Sequence, residues 1–209
     1  MNSFSPNMLK TFETCPQKYY FKYIEKISVP QKSSLFEKGK KVHALANYYL
    51  RGDNISKMEK ALNSEELKIW EILKQNEFFN KTYVNSEYNL SCKVGNYWIG
   101  GRLDALMKDE KNYYILDYKT GSIPKNPEYD YQTITYLLCA SKIYGNNVKF
   151  IYIDLKNNQN SIIDFNSAKA QEYEKRITDI CNKIINTQFQ EEIEHSKICD
   201  FCEYKKICM

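Results

Sequence analysis

Gly101-Arg102-Leu103-Asp104-Ala105-Leu106-Met107-Lys108-Asp109-Glu110-Lys111-Asn112-Tyr113-Tyr114-Ile115-Leu116-Asp117-Tyr118-Lys119-Thr120-Gly121 decides how this chain folds. Two runs of alternating apolar, aromatic and β-branched residues, Tyr97 to Met107 and Tyr113 to Lys119, flank the polar turn Asp109 to Asn112, the pattern of an antiparallel hairpin. If those four residues form the turn, pairing is symmetric about it and Asp104 lies directly across from Asp117. Opposed residues hold their β-carbons about 4.5–5.5 Å apart, so two carboxylates there repel unless a cation sits between them. Asp117 and Lys119 are two apart on a strand and point to one face. Hard oxygen ligands of this kind suit Mg²⁺ or Mn²⁺, and a neutral imidazole can complete the set.

Outward from the hairpin, Tyr83 to Cys92 reads as a preceding strand, so three strands follow one another. Upstream the spacing is helical. Ser5-Pro6 is an N-cap with proline at the first helical position, and Met8, Leu9 and Phe12 give that helix an apolar side. Pro16 interrupts it after Cys15, and Gln17 to Ile27 carries a wide aromatic face with a lysine fringe. Leu35 to Leu50 is a second helix with Gly39 and His43 four apart on one face. Ser56 to Gln75 is a third, with Leu62, Leu67, Ile69, Trp70 and Leu73 on its apolar side. Downstream, Tyr131 to Tyr144 is helical, Val148 to Leu155 is a strand, and Asn166-Ser167 caps a long helix with Tyr173, Ile177, Ile180, Cys181 and Ile184 on its stripe. The order of helices, three strands, helix, strand, helix and tail predicts an α/β fold.

The 209 residues, 43% hydrophobic and 27% charged, suffice for one sizeable core, so residues 1–209 are expected to form a single domain. No run of about 18 apolar residues and no basic-then-apolar leader occurs, which predicts a cytoplasmic protein with no membrane partner. A net charge of +4 is too small to establish a nucleic-acid partner, and 7 Gly with 5 Pro are too few for a fibrous or disordered chain. Seven cysteines, an odd number, disfavour a disulfide framework and make metal ligation worth testing.

Taken together the motifs resemble the RecB-like branch of the PD-(D/E)XK nucleases. Gly39-x-x-x-His43 is similar to that family's first motif, Ser86-Glu87 to its acidic strand, Gly101-Arg102-Leu103-Asp104 to its first catalytic acid and Asp117-Tyr118-Lys119-Thr120-Gly121 to its second acid with the lysine. Gln132-x-x-x-Tyr136 is similar to the helical motif that follows. The resemblance spans almost the whole chain. It implies a restriction-endonuclease-like core, a mixed central sheet flanked by helices, with a helical N-terminal region closing over the active site. It also implies that His43, Asp104, Asp117 and the backbone carbonyl of Tyr118 hold Mg²⁺ or Mn²⁺. The chemistry implied is phosphodiester hydrolysis, in which the ion activates water and offsets charge on the phosphate. Lys119 would orient or deprotonate that water or steady the phosphorane, Glu87 would bind a second ion, and Gln132 and Tyr136 would orient the site and contact the nucleic-acid backbone.

The tail Cys199-x-x-Cys202-x₅-Cys208 is too short to bury a core of its own, and three thiolates need a fourth ligand to close a metal site. Cys15 resembles the N-terminal cysteine of the iron–sulfur staple of AddB-like and CRISPR-associated RecB-like nucleases. The resemblance implies a structural [4Fe-4S] cluster on Cys15, Cys199, Cys202 and Cys208 that ties the chain ends together, with Zn²⁺ as the alternative. His195, near the tail, is left without a vacancy. Cys92, Cys139 and Cys181 read as small buried hydrophobes.

Lysines crowd the first part of the chain: Lys10, Lys18, Lys22, Lys26, Lys32, Lys38, Lys40 and Lys41, among Tyr19, Tyr20, Phe21 and Tyr23. Aromatics among cations suit single-stranded DNA, and equally suit a core with a solvated fringe. No G-x-x-x-x-G-K-[ST] loop is present, so unwinding a duplex would fall to a helicase partner. The function expected is a metal-dependent deoxyribonuclease, an exonuclease on single-stranded ends in repair or recombination. The alternative within that class is a CRISPR adaptation nuclease that processes spacer precursors beside the integrase proteins. The alternative from another class is a catalytically silent DNA-binding module, against which Asp104, Asp117 and Lys119 together argue.

Overall fold

The computed structural model describes residues 2–29, 34–189 and 197–208; Lys32 and His195 lie outside the described residues. The elements in chain order are β1 (Ser3–Phe4), α1 (Pro6–Thr14), α2 (Pro16–Tyr19), a π-helical turn (Tyr20–Ile24), α3 (Ser34–Leu50), α4 (Ser56–Lys60), α5 (Ser64–Gln75), β2 (Thr82–Val94), β3 (Tyr97–Lys108), β4 (Tyr113–Lys119), α6 (Tyr131–Tyr144), β5 (Val148–Asp154), β6 (Gln159–Asp164), α7 (Ser167–Asn186), a 3₁₀ turn (Lys197–Phe201) and α8 (Lys205–Cys208). The α/β class and the hairpin about Asp109 to Asn112 stand as expected. Asp109 builds that turn itself: its Oδ1 accepts from the Lys111 and Asn112 amides at 3.0 and 2.9 Å, and its own amide bonds the Asn112 carbonyl at 3.0 Å.

The strands form one mixed sheet. β3 pairs antiparallel with β2 along one edge, and its other edge is shared by the short parallel β1 and by antiparallel β4; β5 follows parallel to β4, and β6 antiparallel to β5. Helix α6 makes the crossover that a parallel β4–β5 pair requires. Two apolar layers cover the sheet. On one side Leu9, Phe12, Leu137, Phe150 and Ile177 belong to a core built with α1, α6 and α7; on the other Val42, Leu45, Trp70, Leu116 and Ile151 belong to a core built with α3 and α5. Cys92, Cys139 and Cys181 are buried in the first layer, as their apolar neighbours imply, and the sulfurs of Cys92 and Cys139 lie 2.8 Å apart.

Three expectations are corrected. The sequence shows four strands and the sheet has six: β1 is only two residues long, and β6 (Gln-Asn-Ser-Ile-Ile-Asp) is a mostly polar edge strand with weak alternation. The single helix expected over Ser56 to Gln75 is two, because Asn63 accepts from the Glu66 amide while the Glu66 carboxylate accepts from the Asn63 amide, a capping box that starts a new helix. The helix expected over Gln17 to Ile27 is the short α2 followed by the π turn, which widens the chain where Tyr19, Tyr20 and Tyr23 pack.

Candidate active site

The acids line up in one row across three strands. β2 and β3 pair as Ser86–Ala105 and Tyr88–Leu103, which brackets Glu87 against Asp104; β3 and β4 pair up to Ala105–Leu116, one step short of Asp104 against Asp117. Neither acid–acid step is a ladder pair. Three carboxylates in register repel one another, and the strands open at this row. Glu87 takes a left-handed backbone, φ 48°, a conformation that costs free energy for a residue with a β-carbon and concentrates at functional sites. The Asp104 carboxylate takes the place of a strand partner, its Oδ2 accepting from the Tyr118 amide at 2.9 Å.

Helix α3 delivers the histidine. Its approach to the end of β4 is close at Gly39, where a β-carbon would sit 3.1 Å from Thr120 Oγ1. One turn on, His43 lies with Nδ1 3.2 Å from Asp104 Oδ1 and Nε2 3.0 Å from the Tyr118 carbonyl. Burial alone would lower the His43 pKa; the hydrogen bond and charge of Asp104, the charge of Asp117 and the Tyr118 carbonyl outweigh it, and the net direction is upward. His43, Glu87 and Asp104 each offer one ligand atom, all within 4.8 Å of one another. Arg102 Nε meets Glu87 Oε2 at 2.8 Å.

Asp117 stands beside this trio. It is 4% exposed, and burial together with the Asp104 charge pushes its pKa up to about 7 despite Lys119 and His43 pulling the other way. Its Oδ1 accepts from Gln132 Nε2 at 2.5 Å. Its Oδ2 is fully buried and has an ion pair to Lys119 Nζ at 2.7 Å but no well-aligned hydrogen bond. Gln132 also accepts from Lys119 Nζ at 3.3 Å, so one amide holds both the acid and the ammonium. Tyr136, one turn further along α6, is set back: it is buried, its ring stacks on Phe150, and its hydroxyl donates to the Arg102 carbonyl at 2.9 Å. It therefore supports the strand that carries Asp104 and does not itself line the cleft.

The residues fit a divalent ion. The donors are carboxylate oxygens, an imidazole and a main-chain carbonyl, a hard set with one borderline nitrogen. The imidazole now bonds Asp104 through Nδ1 and the Tyr118 carbonyl through Nε2, and an ion taken by either nitrogen would replace one of these contacts. The buried Asp117 Oδ2 is held by the Lys119 ammonium at 2.7 Å, and a divalent ion bound there would share it with that lysine.

A cleft of about 770 Å³ opens onto the trio, lined by Gly39, Lys40, His43, Ala44, Asn47, Tyr48, Glu87, Arg102, Asp104, Thr120 and Gly121. Lys40, Asn47, Tyr48 and Arg102 were not singled out by the motif spacing as site residues. The signal for the α3 residues was present: Lys40, Ala44 and Tyr48 repeat every fourth position, one step around the helix from Gly39, His43 and Asn47.

The cysteine tail lies against the N-terminal helices. Lys18 bonds Glu203 at 2.8 Å, Tyr204 donates to the Ile27 carbonyl at 3.0 Å, and Phe21 packs on Tyr204. Burial raises the Cys208 thiol pKa, and the neighbouring Cys15, Cys199 and Cys202 raise it further, so all four cysteines share one neighbourhood. Cys15 also caps α2, its sulfur accepting from the Lys18 amide.

The sequence profile of the PD-(D/E)XK nuclease superfamily matches residues 3–209. The curated protein named CRISPR-associated exonuclease Cas4, from Francisella tularensis subsp. novicida (strain U112), is 24% identical over 145 residues, 68% of this chain and 72% of its own length. Among solved structures, a protein of Eubacterium rectale provisionally named an exonuclease superposes with a TM-score of 0.54 at 12% identity, over 96% of this chain and 92% of that one, which shows a shared fold. With that profile spanning the strands, the helices and the tail, and with His43, Glu87 and Asp104 lining one cleft, this chain belongs to the PD-(D/E)XK nuclease superfamily.

Proposed function

We propose that the protein is a divalent-metal-dependent deoxyribonuclease that removes nucleotides from single-stranded ends. The observation that carries this reading is the Asp117 carboxylate, buried, short of hydrogen bonds at Oδ2 and paired with Lys119, beside the His43–Glu87–Asp104 trio. His43, Asp104, Asp117 and the Tyr118 carbonyl would hold Mg²⁺ or Mn²⁺, with Glu87 toward a second ion. The metal supplies positive charge to polarise the scissile phosphate. The chain's own groups do the rest. Lys119, fixed as an ammonium between Asp117 and Gln132, orients the attacking water by donating to it and steadies the negative charge that builds on the phosphorane. Gln132 holds Asp117 Oδ1 and Lys119 holds Oδ2, so an ion at Oδ2 would share that oxygen with the lysine. Arg102, now paired with Glu87, is placed to meet a phosphate oxygen when a metal neutralises that acid. Tyr136 is a positioning residue for the strand that carries Asp104.

Cys15, Cys199, Cys202 and Cys208 are assigned to a [4Fe-4S] cluster, supported by their common neighbourhood and by the docking of the tail on α2 and the π turn; Zn²⁺ is the alternative occupant. The cluster's part is to pin the two chain ends, so residues 1–209 act as one domain. A second reading, a nuclease that trims DNA for CRISPR adaptation alongside integrase proteins, is favoured by the name of the Francisella relative. Gene neighbourhood separates it from a repair enzyme working with a helicase.

The test is cleavage of end-labelled single strands with Mn²⁺ or Mg²⁺ by an anaerobic preparation. Wild type should release short products, chelator should stop it, and Asp117→Ala and Lys119→Ala should lower the rate by at least about 10²-fold, the scale of losing an acid–base or charge-stabilising group. Equal cleavage by all three would refute the site. Tight DNA binding with no cleavage under any metal would instead make the protein a silent binding module. Four irons and visible absorption support the cluster; a colourless protein with one zinc replaces it.

A further inference from the structure

We propose that Tyr48 is a stacking platform that seats an unpaired base next to the metal-ligand trio, and so makes the enzyme selective for single-stranded nucleic acid; this rests on the nuclease reading of the cleft. Helix α3 presents two parallel stripes. Gly39, His43 and Asn47 form the first, and each is committed to the sheet: Gly39 abuts Thr120, His43 contacts Asp104 and the Tyr118 carbonyl, and Asn47 Oδ1 accepts from Ser86 Oγ at 2.6 Å. Lys40, Ala44 and Tyr48 form the second, and all three line the cleft.

Successive members of that second stripe are about 6 Å apart along the helix. They offer, in order, an exposed ammonium, a small side chain and an aromatic ring. Tyr48 is 43% exposed and, among the described residues, is the large exposed hydrophobic side chain that lines this cleft. An ammonium for a phosphate, a gap and a ring for a base match the repeat of a nucleotide strand. Arg102, on β3, provides a second cation in the same lining. A base inside a duplex is already stacked on its neighbours and paired, so it cannot lie on the ring without being extracted; an unpaired base can.

The experiment uses the full-length protein with Mn²⁺, comparing wild type, Tyr48→Ala and Tyr48→Phe on end-labelled oligonucleotides. One set is intact, one carries a single abasic residue walked past the cleavage position, and one has fully paired ends. Tyr48→Ala should raise KM on intact single strands by about 10- to 100-fold, with kcat within about threefold, and Tyr48→Phe should restore it. Wild type on the critical abasic substrate should behave as Tyr48→Ala does on the intact one, while paired ends show no difference between variants. Unchanged KM for Tyr48→Ala, or an equal loss on intact and abasic strands, overturns the platform. Should wild type cleave nothing, the nuclease reading fails, and fluorescence anisotropy of the same oligonucleotides still decides the platform: equal affinity of wild type and Tyr48→Ala would refute it.

Discussion

Replacing Gly101 by alanine places a methyl group where the Tyr136 hydroxyl now lies. The new β-carbon would sit 2.7 Å from the Tyr136 oxygen and 3.4 Å from two ring carbons. The oxygen must retreat by roughly 0.5 Å or more to reach ordinary contact, which stretches its 2.9 Å bond to the Arg102 carbonyl toward about 3.4 Å and weakens it steeply. Overpacking costs about 1–3 kcal/mol, and weakening a buried hydrogen bond adds about 1 kcal/mol. Alanine returns about 0.5–1 kcal/mol through the lost backbone freedom of glycine. A net destabilisation of about 1–3 kcal/mol follows. Tyr136→Phe alone should cost about 1–2 kcal/mol by stranding the carbonyl. In the double variant the methyl enters space the hydroxyl has left, so the pair should cost little more than Tyr136→Phe. The expected coupling is about 1–2 kcal/mol, read from urea midpoints at constant m. Additivity within about 0.5 kcal/mol would show that glycine and tyrosine do not share that space, and would remove the reason offered for a glycine three positions before Asp104.

Stability of the metal-free protein should rise as pH falls from 8 to 6. Asp117 is raised from 3.8 to about 7 and His43 is raised from 6.5, so the native state binds more protons than the unfolded chain in that window, and the gain is lost as pH climbs through the folded values. Thermal unfolding in chelator checks it, and a fall in stability over the same window would contradict it. Gly39→Ala should weaken Mn²⁺ binding and cleavage several-fold while changing stability by under about 1 kcal/mol, because a crowded contact with Thr120 offsets the better helix propensity of alanine. Titration of activity with Mn²⁺ against urea midpoints separates the two effects. Asn63→Ala should cost about 1–2 kcal/mol without altering cleavage, since it removes a capping box from α5 and touches nothing in the cleft.

The hairpin was readable because Asp109 makes its own turn and because both strands alternate cleanly; the register that opposes Asp104 to Asp117 follows from that turn alone. Helix α6 and the cap of α7 were readable from equally local signals. β1 escaped because its partner is distant in sequence: two residues find the free edge of β3. β6 has a local partner, β5, across a four-residue turn, and escaped because its own segment is polar with weak alternation. The break before α5 had a local signal, Asn63 with Glu66 three residues on, hidden within a continuous apolar period. At the site, motif order named the acids, the histidine and the lysine. It did not show that Glu87 adopts a positive φ, that Gln132 bonds both Asp117 and Lys119, or that Tyr136 spends its hydroxyl on a carbonyl, since each depends on how elements meet.

The row of acids has a consequence for how this sheet comes apart. β2 and β3 are paired above and below Glu87 and Asp104 but not at them, and β3 leaves β4 at the same level, whereas β4 and β5 stay paired from Tyr113 through Lys119. A seam thus runs across three strands beside an intact two-stranded rail. Local opening takes the path with fewest cross-strand bonds to break, so fluctuations start at the seam and stop at the rail. Deuterium should enter at the amides of β3 near Asp104 well before it enters β5, and an ion bound at the seam should slow that uptake by bridging strands that the backbone leaves apart.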